Sequence, residues 1–123
     1  MKQMKIIKIP VFTEEYGIIV YLGTPKELIK PTSKYVGVGE KTIEKDFANK
    51  RGLTFNCYPD KHPLVVIDST LDYYVALATF AHEISHAMQY VAEYVGIDDK
   101  NGEFEAHGIS TSIRVISKYL KLK

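Results

Sequence analysis

The feature that most restricts the fold is the stretch from residue 71 to residue 95, which contains neither glycine nor proline. Apolar residues occur almost all round a helix drawn through this stretch, and that pattern predicts a buried central helix. The sequence Ser69-Thr70-Leu71-Asp72 has the form of a capping box at its start. Gly96 is placed to cap its end.

A second helix is predicted over residues 103–120, after a polar loop. Five apolar residues would form its inner face: Phe104, Ile109, Ile113, Ile116 and Leu120. Two shorter helices are predicted earlier in the chain. One begins at Pro25 behind a Thr24–Glu27 capping box and ends at Pro31. The other covers residues 40–51, with Gly52 as its cap.

Four segments are rich in β-branched or aromatic residues and predict strands. They are Lys5–Val11, 16–22, 53–58 and Leu64–Asp68, with a turn at 13–15. Pro10 should put the first strand at a sheet edge or end it. A chain of 123 residues has the length of one domain. The sequence therefore predicts a single α+β domain over residues 1–123, with a small mixed sheet packed on the two long helices.

Composition excludes several classes of protein. The apolar fraction of 46% and the charged fraction of 25% are ordinary for a globular domain. A net charge of +1 gives no bulk field for nucleic acid or an anionic membrane. No apolar run reaches the length of a membrane span, and the N-terminal residues lack the apolar core of a signal peptide. Cys57, the single cysteine, is expected to be a structural thiol. We expect a cytoplasmic protein without nucleic-acid or membrane partners.

The motif that carries chemistry is His82-Glu83-Ile84-Ser85-His86 inside the central helix. Histidines at i and i+4 lie on one helix face, where two imidazoles can share a metal ion. Glu83 is rotated about 100° from His82, so it can act on water without being a ligand. Apolar neighbours such as Ile84 and Met88 suggest a core-facing turn, where unpaired histidines would be costly without a metal. The competing interpretation is a surface helix with ordinary His and Glu.

A zinc site needs a third protein ligand. Glu103, Glu105 and His107 all follow the motif at the start of the next helix. Glu103 and His107 share a helix face, and Glu105 points about 160° away from His107. The residues alone leave the choice open.

The H-E-x-x-H helix followed by Glu103, Ala106 and His107 resembles the gluzincin-type zinc metallopeptidases, and more narrowly the short phage and bacterial zincin-like proteins. The resemblance covers residues 64–117. It implies a zincin-like fold and a Zn²⁺ ion held by His82, His86 and Glu103. It also implies that Ala106 lets the two helices approach closely.

The predicted function is zinc-dependent hydrolysis of a peptide or protein substrate, with Glu83 as the general base. The strand Leu64–Asp68 would bind an extended substrate by edge pairing. Two alternatives remain: a catalytically silent, zinc-stabilised interaction or inhibitor module of phage type, and a toxin-like protease with one host substrate. A phage-encoded protein would act in the host cytoplasm.

Overall fold

A four-stranded mixed sheet separates two helical layers in the computed structural model, which describes residues 4–11 and 13–120. The elements, in chain order, are β1 (Lys5–Val11), β2 (Thr13–Gly23), α1 (Pro25–Val36), α2 (Glu40–Phe47), β3 (Gly52–Phe55), β4 (Leu64–Asp68), α3 (Tyr73–Val95) and α4 (Glu103–Ile116). The strand order is β1-β2-β4-β3. β2 and β4 are parallel, and the other two pairs are antiparallel. The predicted α+β class and the small mixed sheet are confirmed.

The two faces of the sheet support two separate apolar clusters, because successive strand residues point to opposite faces. Val65 and Ile67 of β4 face the larger cluster, which α3 covers through residues such as Phe80 and α4 through Phe104. Leu64 and Val66 face the other cluster, to which α1 and α2 contribute Leu28 and Phe47. β4 is therefore buried on both faces, as a central strand requires.

Because β4 is central, the predicted binding of a substrate along the edge of Leu64–Asp68 is wrong. β4 lies between β2 and β3, so it has no free edge with which to bind a substrate. β3 is the edge strand on this side of the sheet, and β1 is the edge on the other, as Pro10 predicted.

Several predicted element boundaries are also wrong. α1 continues through Pro31 to Val36, and Gly37 caps it in the left-handed conformation; its Thr24–Glu27 capping box is as predicted. Strand β2 already begins at Thr13, where a turn was expected. Gly52 begins β3 instead of capping α2, which ends at Phe47.

The start of α3 differs from the predicted capping box. The helix begins at Tyr73 with Asp72 at the N-cap, and no side-chain hydrogen bond caps it. Asp68 instead accepts hydrogen bonds from the backbone N–H and the hydroxyl of Thr70, at 2.8 and 2.6 Å, which closes a turn between β4 and α3. Gly96 caps the end of α3 in the left-handed conformation, as predicted.

α3 is an amphipathic helix, and the prediction that it is buried all round is wrong. One face is buried through residues such as Phe80, Ile84 and Val91, whereas His82 and His86 are exposed on the other. None of the helices in the described part of the chain combines the length and the hydropathy of a membrane span.

Gly108 lets α4 approach α3 closely. A Cβ at Gly108 would lie 2.2 Å from Cε of Met88, closer than real Cβ contacts allow. Ala106, to which the resemblance assigns this role, is exposed. The difference is one of helix face, because Gly108 lies with the buried residues Phe104 and Ser112 and Ala106 does not.

Candidate functional site

The two histidines of the motif converge on the open face of α3. Their Nε2 atoms lie 3.3 Å apart, and the ring planes are inclined at 83°. Both side chains are exposed, while Ile84, between them in sequence, is fully buried. The expectation that burial forces these histidines to seek a metal is therefore wrong, since solvent can satisfy both rings.

The geometry of the pair nevertheless fits a metal. Two nitrogen donors bound to zinc at about 2.0–2.1 Å with tetrahedral geometry are about 3.3–3.4 Å apart. The observed Nε2–Nε2 separation of 3.3 Å equals that spacing. The same distance also allows one neutral imidazole to donate a hydrogen bond to the other. The separation of the two nitrogen atoms therefore suits shared zinc ligands as well as a direct hydrogen bond.

Glu83 is fixed by a residue of the neighbouring strand. The Thr54 hydroxyl of β3 lies 2.6 Å from Glu83 Oε1 and 3.0 Å from the Glu83 backbone oxygen. A hydroxyl has a single proton, and the shorter contact to the carboxylate is the stronger one. Thr54 therefore holds the Glu83 carboxylate on the β3 side of α3, beside the histidine pair.

The close approach of β3 to α3 depends on Gly52. A Cβ at this position would lie 3.0 Å from Thr79 Cγ2 and 3.1 Å from Glu83 Cγ. Any larger side chain would press on the helix at Glu83. Gly52 thus allows the strand to lie against the motif.

An open groove of about 830 Å³ runs between β3 and the exposed face of α3. The α3 side contributes Ala78, Thr79, His82, Glu83, His86 and Tyr90, and the other wall is formed by residues 49–54. Asn49, with φ of 62°, makes the turn that leads the chain from α2 into this wall. The sequence predicted the three motif residues but not this wall, although residues 53–58 were predicted to form a strand.

The free edge of β3 faces this groove. The Asp68 N–H donates to the Arg51 carbonyl at 3.1 Å, so these two residues form a hydrogen-bonded pair of the antiparallel ladder. Hydrogen-bonded and non-hydrogen-bonded pairs alternate along such a ladder. The backbone groups of Gly52 and Thr54 consequently point away from β4, toward an incoming strand.

The three candidates for a third ligand have different surroundings. Among the described residues, no three His, Cys, Asp or Glu side chains are grouped so that they could hold a metal ion. Glu103 is exposed, and His107 lines a separate cavity of about 230 Å³ with Met88 and Phe104. Glu105 is half-buried and accepts a hydrogen bond from Gln89 of α3 at 2.9 Å.

Helix geometry explains this difference. Glu105 lies on the same stripe of α4 as the buried Ser112 and Ile116, at i+7 and i+11. Glu103 is rotated about 160° from Glu105 and points away from α3. Gln89 in turn follows His82 by seven residues and lies on nearly the same face of α3.

A second cleft, rich in tyrosine, lies beyond the C-terminal end of β3. It has a volume of about 520 Å³, and Tyr16, Tyr35, Tyr58 and Tyr94 are among its lining residues. The Tyr58 and Tyr94 rings stack with centroids 4.0 Å apart. Burial raises the pKa of Tyr35 to about 12, and the Tyr35 hydroxyl donates to the His62 carbonyl at 2.8 Å.

No protein-family model matches the chain, and no match was found among curated proteins or among solved structures.

Proposed function

We propose that this protein is a zinc-dependent metallopeptidase of the gluzincin type, with a zincin-like fold. The observation that carries the proposal is the His82–His86 pair, whose 3.3 Å Nε2 separation matches two tetrahedral zinc ligands. The pair lies beside a positioned carboxylate, in a groove large enough for a peptide. The fold supplies the remaining requirement, a free strand edge along that groove.

His82 and His86 would hold the ion together with a glutamate of α4. The resemblance assigns the third position to Glu103, whereas the hydrogen bond between Glu105 and Gln89 favours Glu105, since it draws that carboxylate toward α3. When bound, zinc would supply a Lewis acid that makes water acidic near neutral pH and polarises the substrate carbonyl.

Glu83 would act as the general base. Its carboxylate accepts the proton of the attacking water and delivers it to the leaving amine. The Thr54 hydroxyl, 2.6 Å from Glu83 Oε1, would orient this carboxylate for both proton transfers.

β3 would present the substrate to this site. An extended peptide can add to the free edge through the backbone groups of Gly52 and Thr54. Such pairing positions the peptide backbone independently of side-chain identity and places it under the histidine pair.

Two variants test the proposed roles. Glu83→Gln should bind zinc and fold normally while losing about a hundred- to ten-thousandfold in hydrolysis, the usual contribution of a positioned acid or base. His82→Ala should lose zinc and activity together. The measurement combines metal analysis of purified protein with cleavage of a broad peptide library and of host lysate. Equal turnover by wild type and zinc-loaded Glu83→Gln would rule out the mechanism.

A matched pair of variants identifies the third ligand. If Glu105 ligates zinc, Glu105→Gln weakens zinc binding strongly and Glu103→Gln leaves it unchanged. The opposite result would assign the third ligand to Glu103. Both substitutions are isosteric and lie in the first turn of α4, so a difference between them reports ligation rather than helix stability. Zinc affinity measured by competition with a chromogenic chelator does not depend on turnover.

The silent interaction module is the second candidate, and it has one observation in its favour. The described residues gather two histidines and no complete three-ligand group. A module of this kind would bind zinc and a partner without cleaving it. In that case wild type would turn over no partner, and Glu83→Gln would still bind zinc and that partner.

A further inference from the structure

The groove beside α3 carries positive charge that the proposed hydrolysis does not use. Lys50 and Arg51 line its wall at the Gly52 end of β3, and both are exposed. Within residues 4–11 and 13–120, the ion pair found joins Lys100 to Asp98, far along the chain from this wall. Neither Lys50 nor Arg51 is paired there with a carboxylate of the chain itself.

The two nearby carboxylates accept hydrogen bonds from uncharged groups, and among the described residues neither forms an ion pair with Lys50 or Arg51. Asp68 faces Arg51 across the ladder through the backbone, yet its side chain accepts two hydrogen bonds from Thr70. Glu83, the acid that lines the groove, accepts its hydrogen bond from Thr54. The groove therefore contains two free cations at one end, and a bound divalent metal would add to the positive field.

The direction of β3 decides which part of a bound peptide reaches these cations. β3 runs from Gly52 to Phe55, away from Lys50 and Arg51. An added strand pairs more favourably in the antiparallel sense. The C-terminal half of such a peptide would then lie at the Lys50–Arg51 end, and its N-terminal half would point toward the tyrosine-rich cleft.

We propose that Lys50 and Arg51 form a subsite for a carboxylate in the C-terminal half of a peptide bound along β3. The inference rests on the proposed function in one respect, that the groove takes an extended peptide. The carboxylate is either an acidic side chain or the free end of the substrate chain. The first source describes an endopeptidase with an acidic preference, and the second describes an enzyme that trims C-terminal residues.

The experiment measures binding, so it does not require turnover. Fluorescence anisotropy compares labelled peptides on zinc-free wild type and on zinc-loaded Glu83→Gln. Four peptides are compared. The first is amidated and has Asp in its C-terminal half, and the second has Asn at that position and a free carboxyl end. The third is the amidated Asn peptide, and the fourth is amidated with Asp in its N-terminal half. We expect the first or the second to bind roughly threefold to tenfold more tightly than the amidated Asn peptide, as exposed charge pairs allow. The preference should fall with added salt.

Charge reversal supplies the matched control. Lys50→Glu combined with Arg51→Glu should abolish the preference for carboxylate, while Lys41→Glu combined with Lys45→Glu should preserve it. The control pair changes the net charge equally, and both of its lysines lie exposed on α2, outside the groove lining. The amidated Asn peptide should bind both variants alike.

Any of four other outcomes would overturn the proposal. These outcomes are equal binding of all four peptides, a preference for Asp in the N-terminal half, no measurable binding, or a preference that survives charge reversal. Failure of the proposed function looks different, because the carboxylate preference would persist while zinc-loaded wild type cleaved no peptide. Cleavage without the preference would leave the function intact and remove only the subsite.

Discussion

The Thr54 hydroxyl holds Glu83, the proposed general base. Thr54→Val keeps the shape of the side chain and removes the hydrogen bond to Glu83 Oε1. A hydrogen bond to a charged group is worth about 1.5–3 kcal/mol, so freeing the carboxylate should lower kcat by about tenfold or more. Zinc affinity should not change, since Thr54 is not a donor to the metal. Thr54→Ser should retain most of the activity, and a Val variant as active as wild type would contradict the role.

Cys57 gives a pH-dependent prediction. Burial raises the pKa of its thiol, and the Lys61 ammonium opposes that shift only in part. The thiolate is the nucleophile, so at pH 8 Cys57 should react with iodoacetamide more slowly than a free thiol, with the rate rising as pH increases beyond 9. Lys61→Gln should slow the reaction further by removing the cation. The urea-unfolded chain is the control, and folded protein reacting as fast as the unfolded chain would contradict the prediction.

At the residue scale, the motif could be predicted because its geometry is local. Positions i and i+4 of a helix determine that His82 and His86 share a face, whatever the rest of the chain does. Their exposure could not be predicted in this way, because it depends on which face of α3 meets the sheet. The partner of Glu83 and the side of α4 that faces α3 depend on contacts distant in sequence, so Thr54 and Gln89 were not predicted.

At the element scale, the sequence predicted a helix end correctly where one local interaction determines that end. The Thr24–Glu27 box and Gly96 fix helix ends through hydrogen bonds and backbone conformation within a few residues. Pro31 is the counterexample. A proline inside a helix removes one backbone hydrogen bond, yet α1 continues through Pro31 and buries Leu28 and Thr32 on either side of it. The local signal of one proline therefore did not decide where this helix ends.

The contact between α3 and α4 depends on Gly108. Gly108→Ala places a methyl group where Met88 already lies, so we expect a loss of about 1–3 kcal/mol in the free energy of unfolding, the usual cost of overpacking. The loss should shrink in a Met88→Ala background, because the space is then available. Gly39→Ala is the control, since no atom lies within 4 Å of a Cβ there and its φ is −59°. Because Gly39 is the N-cap of α2, this variant should lose only about 0.5 kcal/mol, and that loss should not depend on Met88. Additive effects of Gly108→Ala and Met88→Ala in urea denaturation would contradict this packing.

At the scale of the whole molecule, strand order was the part that sequence reasoning did not recover. The segment Leu64–Asp68 was recognised as a strand, and its nearly unbroken apolar run already indicated burial on both faces. A strand of that kind belongs in the middle of a sheet, whereas a strand that pairs with a substrate must lie at the edge. The apolar composition of Leu64–Asp68 therefore already argued against the predicted substrate pairing. The shorter, less buried β3 takes the edge, and the candidate site forms where that edge meets α3.

The placement of the site outside both apolar clusters predicts how the molecule responds to loss of metal. His82 and His86 belong to neither cluster, so chelation should leave the secondary structure intact by circular dichroism at 25 °C. The melting temperature should still fall, because zinc at a hundredfold excess over its dissociation constant stabilises the folded state by about 2.7 kcal/mol through mass action. His82→Ala should melt like the zinc-free wild type and show no shift on adding zinc, whereas Glu83→Gln should shift like the wild type. Unfolding of the wild type on chelation alone would instead show that the metal is required for folding, and would favour the zinc-stabilised module over the enzyme.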